Sequence, residues 1–327
     1  MNCEQVSAVV GLPDDPNLPF FAYGIFKPEE IAWARIENFV TSFKSSELAD
    51  WHLLERNGLP IASRGDNHKL EGYLVDFRDG HLAYSLIGEV EPSGEYKWVN
   101  VVTEDGCHCN LLAGVKPRLG SGEELIVQWS SSHDPLFYFG MIFVGNAIRN
   151  IGPKLSENGP WGNSASDWDA FFELQGAYLT LWSIFERYAA FRYGAEFQPQ
   201  SESGVSKRAP SNAKIHETAR SQNFLTAINA AKIDLDFAVY SVRENRKKSV
   251  LLEGVLDPKK AVDAWYQVRN NLAHRGKAAW KENRLLITAA VDLHNTLFHF
   301  LGSEVLGLSD RWAASVQPIS RSEVIGG

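Results

Sequence analysis

The chain has 327 residues, 44% of them hydrophobic, and a formal net charge of −8. That is long enough for two domains, too apolar for a disordered chain, and too acidic for a protein that coats nucleic acid with its whole surface. Its three cysteines, Cys3, Cys107 and Cys109, make no disulfide framework, which predicts a reducing, cytoplasmic compartment. No basic-then-apolar leader and no apolar run of bilayer-spanning length stands out, so no membrane partner is expected. The charge is unevenly spread: residues 1–164 carry a balance of −10 and residues 165–327 one of +2.

Residues 1–17 read as a loose lead-in, because Pro13, Asp14, Asp15 and Pro16 disfavour regular structure. Leu18 to Tyr23 reads as a short buried strand ending at Gly24. Pro28 is placed to open a helix in which Ala32, Ile36, Phe39 and Phe43 recur at four, three and four. Strand-like pieces follow at 51–54, 70–77, 82–87, 96–103 and 107–113. The turn pairs Asn57-Gly58, Asp79-Gly80, Ser93-Gly94 and Asp105-Gly106 separate them. Short strands after one early helix predict an α+β domain built on a β-barrel-like or curled sheet. Cys107-His108-Cys109 lacks a second pair at ligand spacing, so it reads as strand alternation, with no metal and no cofactor expected.

Three segments carry a resemblance: Phe21-Ala22-Tyr23-Gly24, then Gly58-Leu59-Pro60-Ile61-Ala62, then Leu70-Glu71-Gly72-Tyr73-Leu74-Val75-Asp76-Phe77. Over about residues 18–117 the chain resembles the γ-glutamylcyclotransferase-like, or AIG2-like, fold. The resemblance implies that the turn Tyr23, Gly24, Ile25, Phe26 offers backbone groups to a γ-glutamyl-type ligand. Ile25 stands where the family usually has a small hydroxyl residue, and Phe26 where it has Leu. A glutamate in a later Leu-Asp-x-x-Glu segment is the family's acid/base. Glu89, three residues after Leu86, is the best match, with Glu71, Glu91 and Glu95 as rival carboxylates. Backbone amides at such a turn can cradle a carboxylate.

Glu124 to Trp129 adds a possible strand, and the apolar stretch Leu136 to Val144 reads as core. The glycine- and proline-rich stretch 151–166 reads as a linker, which puts the domain boundary near 160 and predicts domains 1–160 and 161–327. A helix from Ser166 or Asp167 to about Arg192 follows, with a second helical region, whole or broken in two, over about 212–242. Asp257 and Pro258 open the next helix and Gly276 ends it. Leu285, Leu286, Ala289, Leu293, Leu297, Phe300 and Leu301 mark a final long helix. His294 and His299 on it read as surface or packing residues, and the stretch from Ser303 reads as a tail.

The helix opened by Pro258 ends in Arg269-Asn270-Asn271-Leu272-Ala273-His274-Arg275-Gly276. An arginine that is always charged and an imidazole that titrates near neutrality are the minimum kit for cutting an RNA phosphodiester without a metal. Residues five apart are about 140° apart around a helix, so one copy makes a poor site and two facing copies a better one. The motif hints at a dimer. Cations gather around it: Arg243, Arg246, Lys247 and Lys248 upstream, then Lys259, Lys260, Arg275, Lys277 and Lys281, a patch able to track RNA phosphates. As a solvated helix-end run, the same residues would simply complement the macrodipole.

The Arg-Asn-x-x-x-His pattern, set before a final long helix in an all-helical half, resembles the signature of the HEPN superfamily. The resemblance implies an all-α bundle, a homodimer, and metal-independent RNA cleavage by Arg269, His274 and Asn270. Glu186 of the first helix is the candidate to orient Arg269 or His274. It also suggests a toxin–antitoxin or phage-defence setting, with an antitoxin or regulator as a further partner. Two other readings stay open: a γ-glutamyl-processing enzyme with a helical dimerisation scaffold, and a non-catalytic ligand-binding adaptor.

Overall fold

The computed structural model describes residues 10–56, 58–91, 94–115, 124–157, 165–194, 211–233, 239–240, 249–250, 257–275 and 283–325. The chain is mixed α/β and forms two compact units, residues 1–134 with 188–214, and residues 135–187 with 215–327.

The first unit is built on one open, mixed sheet. Its strands are β1 (Phe20–Ala22), β2 (Val40–Arg56), β3 (Leu59–Phe77), β4 (Tyr96–Val102), β5 (His108–Gly114) and β6 (Glu124–Ile126), in the order β4-β5-β1-β3-β2-β6. Short β1 lies parallel to β5 and antiparallel to β3. Beyond its end β3 meets β5 directly, at Ala62 and Ala113. β2 and β3 form one long hairpin closed at Gly58, whose φ of +81° favours glycine. The stretches read as 51–54 and 70–77 are parts of these longer strands. Phe20 and Val75 are buried on the sheet face that carries α1 (Gly80–Gly88), and Phe21, Leu74 and Leu111 are buried on the other face. Tyr84 of α1 packs edge-on against Phe20, Phe77 and Trp98.

Helix α1 corrects the strand expected at 82–87. The Asp79 carboxylate accepts from the Leu82 N–H at 3.0 Å as an N-cap, and Ala83, Tyr84, Ile87 and Gly88 make one buried helical face. The helix expected after Pro28 is also corrected. Only two short 3₁₀ turns form, Trp33–Arg35 and Glu37–Phe39, and β2 begins at Val40. Glu29 sits at φ +70° and the Ala32 N–H bonds back to the Ile25 carbonyl, so the chain is folded onto the preceding turn.

In the second unit a π-helical turn, Leu136–Gly140, runs into α2 (Met141–Glu157). There follow α3 (Ala165–Tyr193), α4 (Ser211–Ala219), α5 (Gln222–Ala231), a ribbon of β7 (Val239–Tyr240) and β8 (Ser249–Val250), α6 (Pro258–Arg275), α7 (Asn283–Glu304), α8 (Leu308–Trp312) and α9 (Arg321–Ile325). α2 crosses the first part of the expected linker and packs on α7 and α9. Gly152 is the reason it can, since a Cβ there would lie 2.0 Å from Val324. The boundary expected near 160 therefore falls inside this unit. α7 is the central helix: Phe300 meets Phe224 of α5, which stacks on Phe185 of α3. Leu285–Glu304 has the length and hydropathy of a membrane span, which the sequence reading had not credited, but 72% of that window is buried. The expected tail is packed as well. Leu308, Trp312, Val316, Ile319 and Val324 are buried, and the Asn295 side chain bonds both the N–H and the carbonyl of Ile319.

Candidate functional site

Where β1 ends, the chain turns sharply through Tyr23, Gly24, Ile25 and Phe26. The Lys27 N–H closes the turn on the Gly24 carbonyl at 3.0 Å. Among the described residues, the N–H groups of Ile25 and Phe26 have no backbone acceptor. Pro60 lies so close that a Cβ on Gly24 would come within 2.5 Å of it, so this position requires glycine. The turn forms one wall of a small pocket, partly open to solvent. Phe20, Pro60, Glu91, Tyr96 and Leu112 complete the lining.

Glu91 is the chemical centre of this pocket. It is 7% exposed, and burial pushes its carboxyl up to about 8 from an ordinary 4.5. The two tyrosines beside it are committed elsewhere. Tyr23 donates to the Leu112 carbonyl at 2.6 Å and Tyr96 to the Pro60 carbonyl at 3.1 Å. Burial first, and then the nearby Glu91 charge, raises the pKa of Tyr96, and Glu91 adds to the rise at Tyr23, so both stay neutral. A carboxyl held this way takes a proton easily near neutrality and returns it.

Glu89 does not reach this pocket. It is exposed and pairs with Arg35 at 2.7 Å, while Arg35 also donates twice to the Leu86 carbonyl at the C-terminal end of α1. The carboxylate that lines the pocket is Glu91, two residues on from Glu89. Glu71 is exposed on β3, and Glu95 pairs with Arg56 at 2.8 Å.

In the helical unit, the Asp257 carboxylate accepts from the Lys259 N–H at 3.0 Å and starts α6. Ala261, Trp265 and Val268 turn into the core, and Tyr178 fixes the helix by donating to the Trp265 carbonyl at 2.8 Å. The opposite face carries half-buried Asp263, Tyr266, Gln267 and Asn270, with Arg269 at its flank. The Arg269 guanidinium donates to the Asn270 side-chain oxygen at 3.3 Å. Glu186 on α3 accepts from the Trp182 indole at 2.8 Å, and the Trp182 ring lies 5.6 Å from Tyr266.

Comparison with family models, with curated proteins and with solved structures returned no match. The residues are therefore weighed by geometry alone. The fold brings Tyr23, Gly24, Ile25 and Phe26 together around one pocket, and joins Arg269 to Asn270. It joins Glu186 to Trp182; among the described residues no hydrogen bond or ion pair links Glu186 to Arg269. His274 and Arg275 lie in the last turn of α6, but their side chains are outside the described residues, as are Arg243, Arg246, Lys247, Lys248, Lys277 and Lys281. Lys259 and Lys260 are exposed in the first turn of α6. His108 is exposed at the start of β5, but Cys109 to Ala113 are all buried, so the strand does not show the alternation read from Cys107-His108-Cys109. His294 is fully buried, which pushes its imidazole down to about 4 and keeps it neutral.

In the sequence Glu91 stands only as a rival to Glu89, whose match puts Leu86 at the family's aspartate position. Ile87 is the fully buried residue, Leu86 only half-buried, and counting four on from Ile87 reaches Glu91.

Proposed function

We propose that the first unit is a β-barrel-like γ-glutamylcyclotransferase pocket with Glu91 as its acid/base. The observation that carries this reading is a lone, pocket-facing, buried carboxyl opposite a turn with uncommitted amides. The Ile25 and Phe26 amides take the α-carboxylate of a γ-glutamyl compound. Its α-ammonium pairs with ionised Glu91 and gives up a proton to it. The freed amine attacks the γ-carbonyl carbon, a new C–N bond closes the five-membered lactam, and the old γ-amide C–N bond breaks. Glu91 returns that proton to the leaving nitrogen, then takes the second proton from the ring nitrogen and passes it to the departing amine. The products are 5-oxoproline and an ammonium ion, with Glu91 ionised again, so atoms and charge balance. Assay of γ-glutamyl dipeptides for 5-oxoproline tests it: Glu91→Gln abolishes release and Glu89→Gln retains it. Loss in Glu89→Gln with retention in Glu91→Gln would overturn the assignment.

A second reading, for the second unit, is an all-α HEPN-type, metal-independent RNA endonuclease acting as a homodimer. The Arg269–Asn270 pair favours it, because the amide oxygen holds the guanidinium on the polar flank of α6 near the turn that carries His274. In this reading His274 moves the proton of the ribose 2′-hydroxyl, Arg269 neutralises the transition state, and the product ends in a 2′,3′-cyclic phosphate. The pocket of the first unit then supplies the trigger, in a cytoplasmic toxin or phage-defence effector answerable to a regulator. Degradation of cellular RNA by the intact chain but not by His274→Ala supports it, and equal degradation by both removes it.

A further inference from the structure

The ring of Tyr266 occupies the middle of the polar face of α6. At about 100° per residue, Asn270 lies roughly 40° to one side of it, Arg269 roughly 60° to the other, and the backbone of His274 roughly 80° away. Arg269 and Asn270 therefore flank this one aromatic, with the His274 backbone about 12 Å further along the helix. The other half-buried residues on the face are polar: Asp263, Gln267 and Asn270. The ring is braced from beneath. Trp182, 1% exposed, lies against it at 5.6 Å with a 43° tilt, and the Trp182 indole is itself fixed by Glu186 at 2.8 Å. Tyr178, a core tyrosine of the same unit, spends its hydroxyl on a backbone carbonyl. Tyr266 instead stays half-exposed, with one edge on Trp182.

A rigid, half-exposed aromatic beside a guanidinium and an amide is the arrangement that holds an unpaired base next to its own phosphate. We propose that Tyr266 is the stacking platform for a nucleobase of single-stranded RNA, with Glu186 and Trp182 as positioning residues that set the ring. This inference rests on the ribonuclease reading. Duplex RNA, whose bases stack on one another, does not use the platform.

The test uses the full-length chain carrying His274→Ala, which leaves RNA uncut. Probes are a single-stranded RNA oligonucleotide with one 2-aminopurine and the same strand in a duplex. The single strand binds with 2-aminopurine quenching. Tyr266→Leu weakens that binding by about tenfold and removes the quenching, while Tyr266→Phe keeps both. The duplex changes by less than about twofold in each variant. In the cutting enzyme, Tyr266→Leu raises KM more than it lowers kcat. Should Tyr266→Leu bind and quench like its parent while the parent chain cuts RNA, the platform is refuted and the ribonuclease reading stands. Should the parent chain neither bind nor cut RNA, the ribonuclease reading falls and the platform with it.

Discussion

The pocket of the sheet unit and the polar face of α6 make reactive groups in opposite ways. Glu91 owes its chemistry to what surrounds it: apolar walls, two tyrosines already committed to carbonyls, and a pKa raised to about 8 by burial. Arg269 needs no tuning, since a guanidinium is charged at any working pH, and the fold has only to aim it. Burying the Glu91 carboxyl therefore costs stability, and placing Arg269 costs little. The difference teaches where substitutions separate activity from folding.

The largest effect is expected in the pocket. Glu91→Gln lowers 5-oxoproline release by about a thousandfold, as loss of a general acid/base does, with Glu89→Gln changing it by less than about threefold. In the parent, kcat/KM rises as pH climbs towards about 8, because the free enzyme must first ionise Glu91.

Stability should move the other way. The folded carboxyl sits near 8 and the unfolded one near 4.5, so the native state holds a proton that the unfolded chain releases. Stability is therefore full below the unfolded value and falls as pH rises from about 4.5 to about 8. Glu91→Gln removes that slope. Denaturant melts should show it more stable than the parent by on the order of 3 kcal/mol at neutral pH, with the gap closing towards pH ~4.5. A parent curve flat across that window would mean that the pocket does not bury the charge.

On α6 the contrast is sharper. His274→Ala lowers RNA cleavage by about a hundredfold with little change in melting temperature, and a chelator leaves the parent rate unchanged. DNA survives, because it lacks the 2′-hydroxyl nucleophile. Cleavage of DNA, or loss of RNA cleavage on chelation, would count against this chemistry. The smallest effect belongs to the exposed Glu89 carboxylate. Glu89→Gln should change stability by no more than about 1 kcal/mol, as for other surface ion pairs, although Arg35 itself is largely buried.

Much of the pocket was legible in the sequence, but its buried carboxylate, Glu91, stood there only as a rival to Glu89. Tyr23-Gly24-Ile25-Phe26 marks the turn because its neighbours force it: Gly24 must pass under Pro60, and no other residue fits. The step to Glu91 failed because 82–87 reads as a strand by composition. Strand alternation hides the helical face on which Ile87, and not Leu86, points inward. The apolar spacing at Ala32, Ile36 and Phe39 suggests a helix, yet Ala32 and Ile36 are buried at the ends of two short 3₁₀ turns and Phe39 is only half-buried. In the helical unit the long elements were readable from periodicity, and α6 begins at Pro258 as its cap predicts. The packed C-terminal segment was hidden by its glycines, serines and prolines, although Leu308, Trp312, Val316 and Ile319 recur at four, four and three.

The most direct test of the pocket's chemistry is the pH profile of 5-oxoproline formation from a γ-glutamyl dipeptide, run on the parent, Glu91→Gln and Glu89→Gln. The account predicts a rate that climbs towards about pH 8 in the parent and in Glu89→Gln, and none above background in Glu91→Gln. A Glu91→Gln protein that releases 5-oxoproline at the parent rate would contradict it.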